Sequence, residues 1–126
     1  MSGLTYDTGA LVAAEANNRR MWAIHARAMA RSHIPTIPAG VLAQAWRGGP
    51  QPLLARLFDG CEVDPLVEAS ARLVGAALAR SVTDDVVDAS VVVGALRRGD
   101  AVVTSDRDDI AHVAQAVGRR VDIISI

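Results

Sequence analysis

The chain has 126 residues, a formal net charge of −1, 51% hydrophobic residues and 3% aromatic residues. This length fits one domain over residues 1–126, and the charge excludes a globally basic nucleic-acid-binding protein. Apolar runs are too short to cross a bilayer, and no segment resembles a signal peptide. The single cysteine excludes an internal disulfide and a cysteine-based zinc site. We therefore expect a cytoplasmic protein without membrane contact.

Short apolar segments alternate with helical segments in the first half of the chain. An apolar run ends at Asp7, and Thr8 and Gly9 predict a turn after it. Asn18 is expected to cap a helix, and Pro38 suits the first turn of another. The predicted elements are a strand at 4–6, helices at 10–15 and 19–32, a strand ending at 37, helices at 39–47 and 52–58, and a strand at 62–63.

The second half has the clearest pattern. Asp64 followed by Pro65 predicts the start of a helix. Four further elements are predicted after it: a helix over 85–98, a buried strand at 101–104, a helix that opens at Ser105 and Asp106 and runs to about 117, and a strand at 121–126. Strands alternating with helices predict an α/β domain whose parallel sheet is covered on both faces.

Three aspartates are predicted to meet at one edge of this sheet. Asp7 ends the first strand, and Asp106 lies just past the strand at 101–104. Ligands of open parallel sheets bind beyond the carboxyl ends of the strands, so both residues belong to one edge. Asp88 lies near the start of the helix that leads into the second of these strands and can reach the same edge.

Further carboxylates lie one helical turn away. Asp85 precedes Asp88 by three residues, and Asp109 follows Asp106 by three. Several carboxylates at one edge repel each other unless a cation lies among them. Mg²⁺ or Mn²⁺ is the expected cation, since it is held by carboxylates and can lower the pKa of a water for attack on phosphorus.

Each aspartate also has a purely structural interpretation. Asp106 can be only a helix N-cap, Asp7 only a turn residue, and at least one of Asp84 and Asp85 is expected to be a cap. Asp88 is harder to explain in this way, because its helix is strongly apolar and an unpaired carboxylate there is costly. Histidines 25, 33 and 112 have no metal-ligand spacing and are predicted to lie on the surface.

Three segments together resemble the PIN-domain family, and most closely its VapC-type ribonuclease toxins of bacterial toxin–antitoxin systems. They are YDTGALV at 6–12, VDASVV at 87–92 and VVTSDRDD at 102–109. The resemblance covers nearly the whole chain. It implies a three-layer α/β/α fold with a mostly parallel five-stranded sheet. It also implies a Mg²⁺- or Mn²⁺-dependent endoribonuclease that acts on RNA, forms a homodimer and is inhibited by a cognate antitoxin.

The resemblance also assigns roles to residues. It implies that Asp7, Asp88 and Asp106 are the catalytic, metal-binding acids, with Asp108 or Asp109 as an auxiliary acid. Because Asp85 and Asp109 each lie one turn from a core carboxylate, we also expect them to help bind the metal. Residues expected to line the site are Thr8, Gln44, Thr104 and Ser105. Arg47 and Arg107 are the best candidates for contacts with substrate phosphate.

Gln44 departs from the family pattern, which usually has a glutamate there. Glutamine keeps an acceptor oxygen but removes a negative charge, which should weaken metal affinity. Two hypotheses therefore stand: an active metal-dependent ribonuclease, or a catalytically weakened module that binds an antitoxin or RNA. A phosphatase is disfavoured because its second aspartate is replaced by Gly9, and a receiver domain because the chain has no lysine.

Overall fold

The computed structural model describes residues 3–126. The strands are β1 (Leu4–Tyr6), β2 (Thr36–Pro38), β3 (Glu62–Asp64), β4 (Ala101–Thr104) and β5 (Ile123–Ser125). The helices are α1 (Thr8–Glu15), α2 (Arg19–Ala30), α3 (Ala39–Ala45), α4 (Pro52–Phe58), α5 (Glu68–Ser81), α6 (Val86–Arg98) and α7 (Arg107–Ala116). In this range the strands form one fully parallel sheet in the order β3-β2-β1-β4-β5, which confirms the predicted α/β/α class.

The helices form two layers on opposite faces of the sheet. Right-handed crossovers place α1 to α4 on one face, because the chain moves from β1 to β3 in one direction. The chain then crosses to β4 and β5, which places α5, α6 and α7 on the other face. Most contacts agree with this division, since α5, α6 and α7 pack on one another while α1 packs on α2, α3 and α4. The exception is α3, which also contacts α6.

The core lies on both faces of the central strands. Every residue of β4 is buried, as expected for a strand covered by helices on each side. Tyr6, Leu11 and Ile37 are fully buried in the same hydrophobic cluster. Within residues 3–126, none of the helices has both the length and the apolar character needed to cross a membrane.

Most predicted elements are present with ends shifted by at most two residues, but the helix start at Asp64 is wrong. Asp64 is the last residue of β3, and α5 begins at Glu68 after the N-cap Val67. The Asp64 carboxylate is engaged by Arg98, whose Nη1 donates to it at 2.8 Å, and therefore does not cap a helix.

Two further predictions need correction. Thr8 and Gly9 do not form a turn but begin α1, because Asp7 acts as the N-cap and accepts from the Thr8 backbone N–H. His25 is not a surface residue: it is 6% exposed, and its Nδ1 lies 2.9 Å from the hydroxyl of Tyr6. This contact supplies the hydrogen bond that a buried tyrosine hydroxyl needs.

Candidate functional site

Asp7 and Asp106 lie at the same edge of the sheet. The neighbouring strands β1 and β4 run in the same direction, with Tyr6 opposite Val103. Asp7 follows β1 directly, and Asp106 follows β4 by two residues. Because the carboxyl ends of parallel strands meet at one edge, two residues far apart in the chain come together there, as predicted.

The Asp7 carboxylate is buried and held by two hydrogen bonds. It is 4% exposed. Oδ1 accepts from the backbone N–H of Thr8 at 2.7 Å, and Oδ2 accepts from the hydroxyl of Thr104 at 2.7 Å. Burial raises the pKa of Asp7 above its usual value, and the two hydrogen bonds oppose this rise. Repulsion from Asp106 and Asp85 adds to the rise.

The first turn of α6 brings two more carboxylates to the same place. Asp85 is the N-cap of α6, and its Oδ1 accepts from the backbone N–H of Asp88 at 2.9 Å, so one aspartate before this helix is a cap as expected. Asp88 is half-buried. Burial, followed by repulsion from Asp85, Asp7, Asp109 and Asp106, raises the pKa of Asp88 to about 7. A carboxyl group with four negative neighbours is electrostatically strained in the absence of a cation.

The start of α7 contributes a fourth and a fifth carboxylate. Asp106 occupies the N-cap position, but within residues 3–126 its side chain makes no capping hydrogen bond. Its backbone N–H instead donates to the Thr104 hydroxyl at 2.8 Å. Asp109, in the first turn of α7, lines the same cavity, whereas Asp108 is not among the residues that line it.

These carboxylates surround one open cavity of about 580 Å³, which we call the acidic cavity. Its acidic lining residues are Asp7, Asp85, Asp88, Asp106 and Asp109. Its other polar lining residues are Thr8, Asn18, Gln44 and Ser105. Among the lining residues within 3–126 there is no arginine or histidine. The cavity is therefore rich in oxygen ligands and strongly negative.

Gln44 faces this cavity from α3. Its Oε1 accepts a hydrogen bond from the hydroxyl of Thr8 at 2.6 Å. Gly40, on the same helix, allows α3 to approach α6, because a methyl group at that position would lie 3.2 Å from the side chain of Val87. The neutral side chain of Gln44, where a glutamate was expected from the resemblance, therefore lies within the site itself.

Gly9 and Ser105 form a second close approach at the site. A methyl group on Gly9 would overlap the hydroxyl of Ser105, so only glycine lets the first turn of α1 pack against the end of β4. Asn18 and Ile126 also line the acidic cavity, although the sequence patterns did not indicate them. Asn18 is the N-cap of α2, whereas the position of Ile126 depends on β5 lying beside β4, which no local motif encodes.

The two arginines expected to contact phosphate do not line the acidic cavity. Nη1 of Arg47 donates to two backbone carbonyls at the end of α3, at 3.0 and 3.4 Å. Arg107 donates from Nε to the hydroxyl of Ser125 and from Nη2 to the carbonyl of Ile123, both at 3.0 Å. Arg107 thus covers one backbone carbonyl on the open edge of β5, a common protection of an edge strand.

The donor chemistry of the acidic cavity fits a hard divalent cation. All its acidic and polar ligands offer oxygen, which Mg²⁺ and Mn²⁺ prefer. Asp88, Asp106 and Asp109 accept no side-chain hydrogen bond and form no ion pair within residues 3–126, so their carboxylates are free for a ligand.

The arrangement is not a finished ligand cage. Within residues 3–126, no group of three or more His, Cys, Asp or Glu side chains is placed to hold a metal directly. This does not exclude Mg²⁺, which commonly keeps several waters and contacts only one or two carboxylates. The N-termini of α1, α6 and α7 also point to this edge, and their positive dipole ends partly offset the negative charge.

No protein-family model matches the sequence, and no curated protein matches it.

Proposed function

We propose that the chain is a Mg²⁺- or Mn²⁺-dependent endoribonuclease of the PIN-domain kind, and the toxin of a type II toxin–antitoxin pair. The observation that carries this proposal is the convergence of five aspartates from three separate segments on one cavity without a basic lining residue in the described range. Such a cluster is costly for a purely structural purpose, since the carboxylates repel one another.

The aspartates divide into two groups by their hydrogen bonds. Asp7 is fixed by Thr8 and Thr104 and is therefore a preorganised ligand. Asp88 and Asp106 have uncommitted carboxylates that can turn toward a cation. A bound divalent cation would supply Lewis-acid activation of water and neutralisation of charge on a phosphodiester. The protein's own contribution is to hold these acids together and to exclude competing side chains.

Charge sets the condition under which RNA can enter the acidic cavity. An anionic phosphodiester cannot enter a cavity with five carboxylates unless cations or protons offset them. Substrate binding at the acidic cavity should therefore depend on the divalent ion. The volume of about 580 Å³ lies within the range of small-ligand sites, so a nucleotide unit of an RNA chain can occupy it.

Cleavage assays test this proposal. The protein should cut RNA in Mg²⁺ or Mn²⁺ and stop in EDTA, and Asp7→Asn and Asp109→Asn should lose activity. Asp108→Asn is the matched control, because its carboxylate lies on the same helical turn but not on the cavity. Cleavage that persists in EDTA, or an Asp7→Asn variant with full activity, would refute the proposal.

A non-catalytic binding module is the second candidate. It is favoured by the absence, within residues 3–126, of three acids placed to bind a metal directly, and by the neutral Gln44 in the cavity. In this case the chain would bind an antitoxin or RNA without turnover. Calorimetric titration with Mn²⁺ separates the two candidates: the nuclease should bind the ion, and the binding module should not.

The partners belong to the same proposal. A toxin of this kind would act in the cytoplasm, form a homodimer and bind a cognate antitoxin. Four exposed apolar side chains within residues 63–73 support a protein contact surface, namely Val63, Leu66, Val67 and Leu73. Light scattering of the purified chain would test the dimer.

A further inference from the structure

A second cavity is lined by α2 together with residues of β1 and of the edge strand β5. It has a volume of about 460 Å³. Its basic lining residues are Arg20, Arg27, Arg31 and His33, and its apolar lining residues are Leu4, Ile24, Ala28 and Ile124. We call it the basic groove. Among its lining residues in the described range there is no acidic side chain.

The basic groove follows from the sequence of α2. Arg20, Ile24, Arg27 and Arg31 are separated by four, three and four residues, so they lie along one face of the helix. All three arginines are exposed. Asn18 caps the helix through Met21 N–H and fixes where this face begins.

The arginines of the groove carry uncompensated charge. Within residues 3–126, none of the three lies within ion-pair distance of a carboxylate. Arg98 behaves differently, since its guanidinium is paired with Asp64 and Asp100. Because the whole chain has a net charge of −1, the positive groove and the acidic cavity represent a separation of charge across the surface.

The basic groove and the acidic cavity are adjacent along β5. Ile126 lines the acidic cavity, and Ile124 lines the groove. Two residues along a strand span only about 7 Å. Arg20 lies between them, with its Nε donating to the carbonyl of Ser125 at 3.0 Å. A guanidinium has five N–H donors, so this bond leaves four for a ligand.

We propose that the basic groove binds the phosphodiester backbone of single-stranded RNA, next to the nucleotide held in the acidic cavity. This inference rests on the proposed function for the identity of the substrate. Without a bound cation the acidic cavity repels the backbone, so affinity for RNA under those conditions must come from a neighbouring surface, and the groove is contiguous with the cavity. Arginine forks match phosphate oxygens. The apolar floor offers contact with ribose and bases, as single-strand sites do.

The test compares two double variants with the same change in charge. Arg27→Gln with Arg31→Gln alters the groove. Arg80→Gln with Arg119→Gln alters two arginines at a cavity between the helices of the opposite face and serves as the control. Binding of a short fluorescein-labelled single-stranded RNA is measured by anisotropy in EDTA, over a series of salt concentrations. Circular dichroism confirms that each variant is folded.

The groove variant should bind RNA about tenfold or more weakly, and the slope of log K against log salt should fall by about 1.4, as expected for two lost phosphate contacts on a single strand. The control should retain the wild-type affinity and slope. Equal weakening in both variants, or no change in the groove variant, would overturn the inference. It would also be overturned if the groove variant lost binding of poly-glutamate but kept binding of RNA, since an acidic protein segment would then be the occupant.

Failure of the nuclease proposal can be distinguished from failure of this one. If the wild-type protein cleaves no RNA in Mn²⁺, yet its RNA affinity depends on Arg27 and Arg31, the groove remains an RNA site and the nuclease proposal fails. If the protein cleaves RNA while the groove variant keeps its affinity, the nuclease proposal stands and the groove is not the RNA path.

Discussion

The hydroxyl of Thr104 donates a 2.7 Å hydrogen bond to the carboxylate of Asp7, 97 residues earlier in the chain. The same hydroxyl accepts the backbone N–H of Asp106 at 2.8 Å. One buried oxygen atom therefore links the ends of β1 and β4 and sets the positions of two acids of the site. Thr104 is fully buried and is not among the residues that line the acidic cavity, so the expectation that it lines the site is wrong. It acts on the site through Asp7 and Asp106.

Replacing Thr104 with valine should therefore impair both stability and activity. Valine keeps the shape but leaves an oxygen of buried Asp7 and the N–H of Asp106 without their partner, at a cost of about 2 kcal/mol. The pKa of Asp7 should rise further, because a hydrogen bond that lowers it is lost. Urea denaturation measures the first effect, and cleavage of RNA in Mn²⁺ measures the second.

Thr104→Ser is the matched control. Serine keeps the hydroxyl and removes a methyl group, so it should retain most activity while losing about 1 kcal/mol of packing energy. Equal activity in the valine and serine variants would show that the hydroxyl does not position the site.

The fold could be predicted because its signals are local. Periodic apolar residues and the prolines, glycines and caps between them define each element, and alternation of strands and helices implies a parallel sheet. The start of α5 could not be predicted, because Asp64 is engaged by Arg98 from α6 rather than by its own helix. Burial of His25 likewise depends on Tyr6, on another element.

The site could be predicted in part for a similar reason. Asp7 and Asp106 follow strands, and strand ends of a parallel sheet share an edge, so their meeting depends only on architecture. Arginine contacts depend on side-chain orientation, which sequence does not encode. Arg107 follows Asp106 in the chain, yet its guanidinium reaches the carbonyl of Ile123 on the edge strand.

Asp88→Asn should stabilise the metal-free protein near neutral pH. The pKa of Asp88 is about 7 in the folded protein, above its value of 3.8 without the fold. The folded state therefore binds more protons, and the unfolding free energy falls as pH rises from about 4 to about 7. Asparagine does not titrate, so the variant does not lose unfolding free energy over this pH range at position 88. We expect a gain on the order of 1 kcal/mol, because solvent screening around this half-buried group reduces the effect.

Thermal denaturation in EDTA at several pH values measures this effect. The wild-type protein should lose stability toward neutral pH, and the loss should be smaller in Asp88→Asn. Asp108→Asn is a control on a residue away from the cavity and should follow the wild-type curve. Parallel curves for Asp88→Asn and the wild type would contradict the electrostatic strain at Asp88.

Gln44→Glu should raise the affinity for the metal ion and lower the folding stability of the metal-free protein. A glutamate can accept a hydrogen bond from the Thr8 hydroxyl, as Gln44 does, and it adds a sixth carboxylate to the acidic cavity. Added repulsion should lower metal-free stability by about 1 kcal/mol, while affinity for Mn²⁺ should rise by about tenfold or more. Calorimetry with Mn²⁺ measures the affinity.

Gln115→Glu on α7 is the control for that substitution, since Gln115 is exposed and does not line the acidic cavity. Its affinity for Mn²⁺ should equal that of the wild-type protein. Identical affinities in all three proteins would mean that position 44 does not contribute to a metal site.

Gly9→Ala and Gly75→Ala should change stability in opposite directions. A methyl group on Gly9 overlaps the Ser105 hydroxyl, so alanine there must push α1 away from the end of β4, at a cost of about 1–3 kcal/mol. At Gly75, within α5, no atom of residues 3–126 beyond its own helix lies within 4 Å of an added methyl group. Alanine there should stabilise the helix by about 0.5–1 kcal/mol, because it restricts the unfolded chain.

Urea denaturation measures the stability of both variants. Only Gly9→Ala should also reduce RNA cleavage, because it displaces Ser105 in the acidic cavity. A Gly9→Ala variant as stable as the wild-type protein would mean that α1 and β4 do not approach each other as closely as this contact requires.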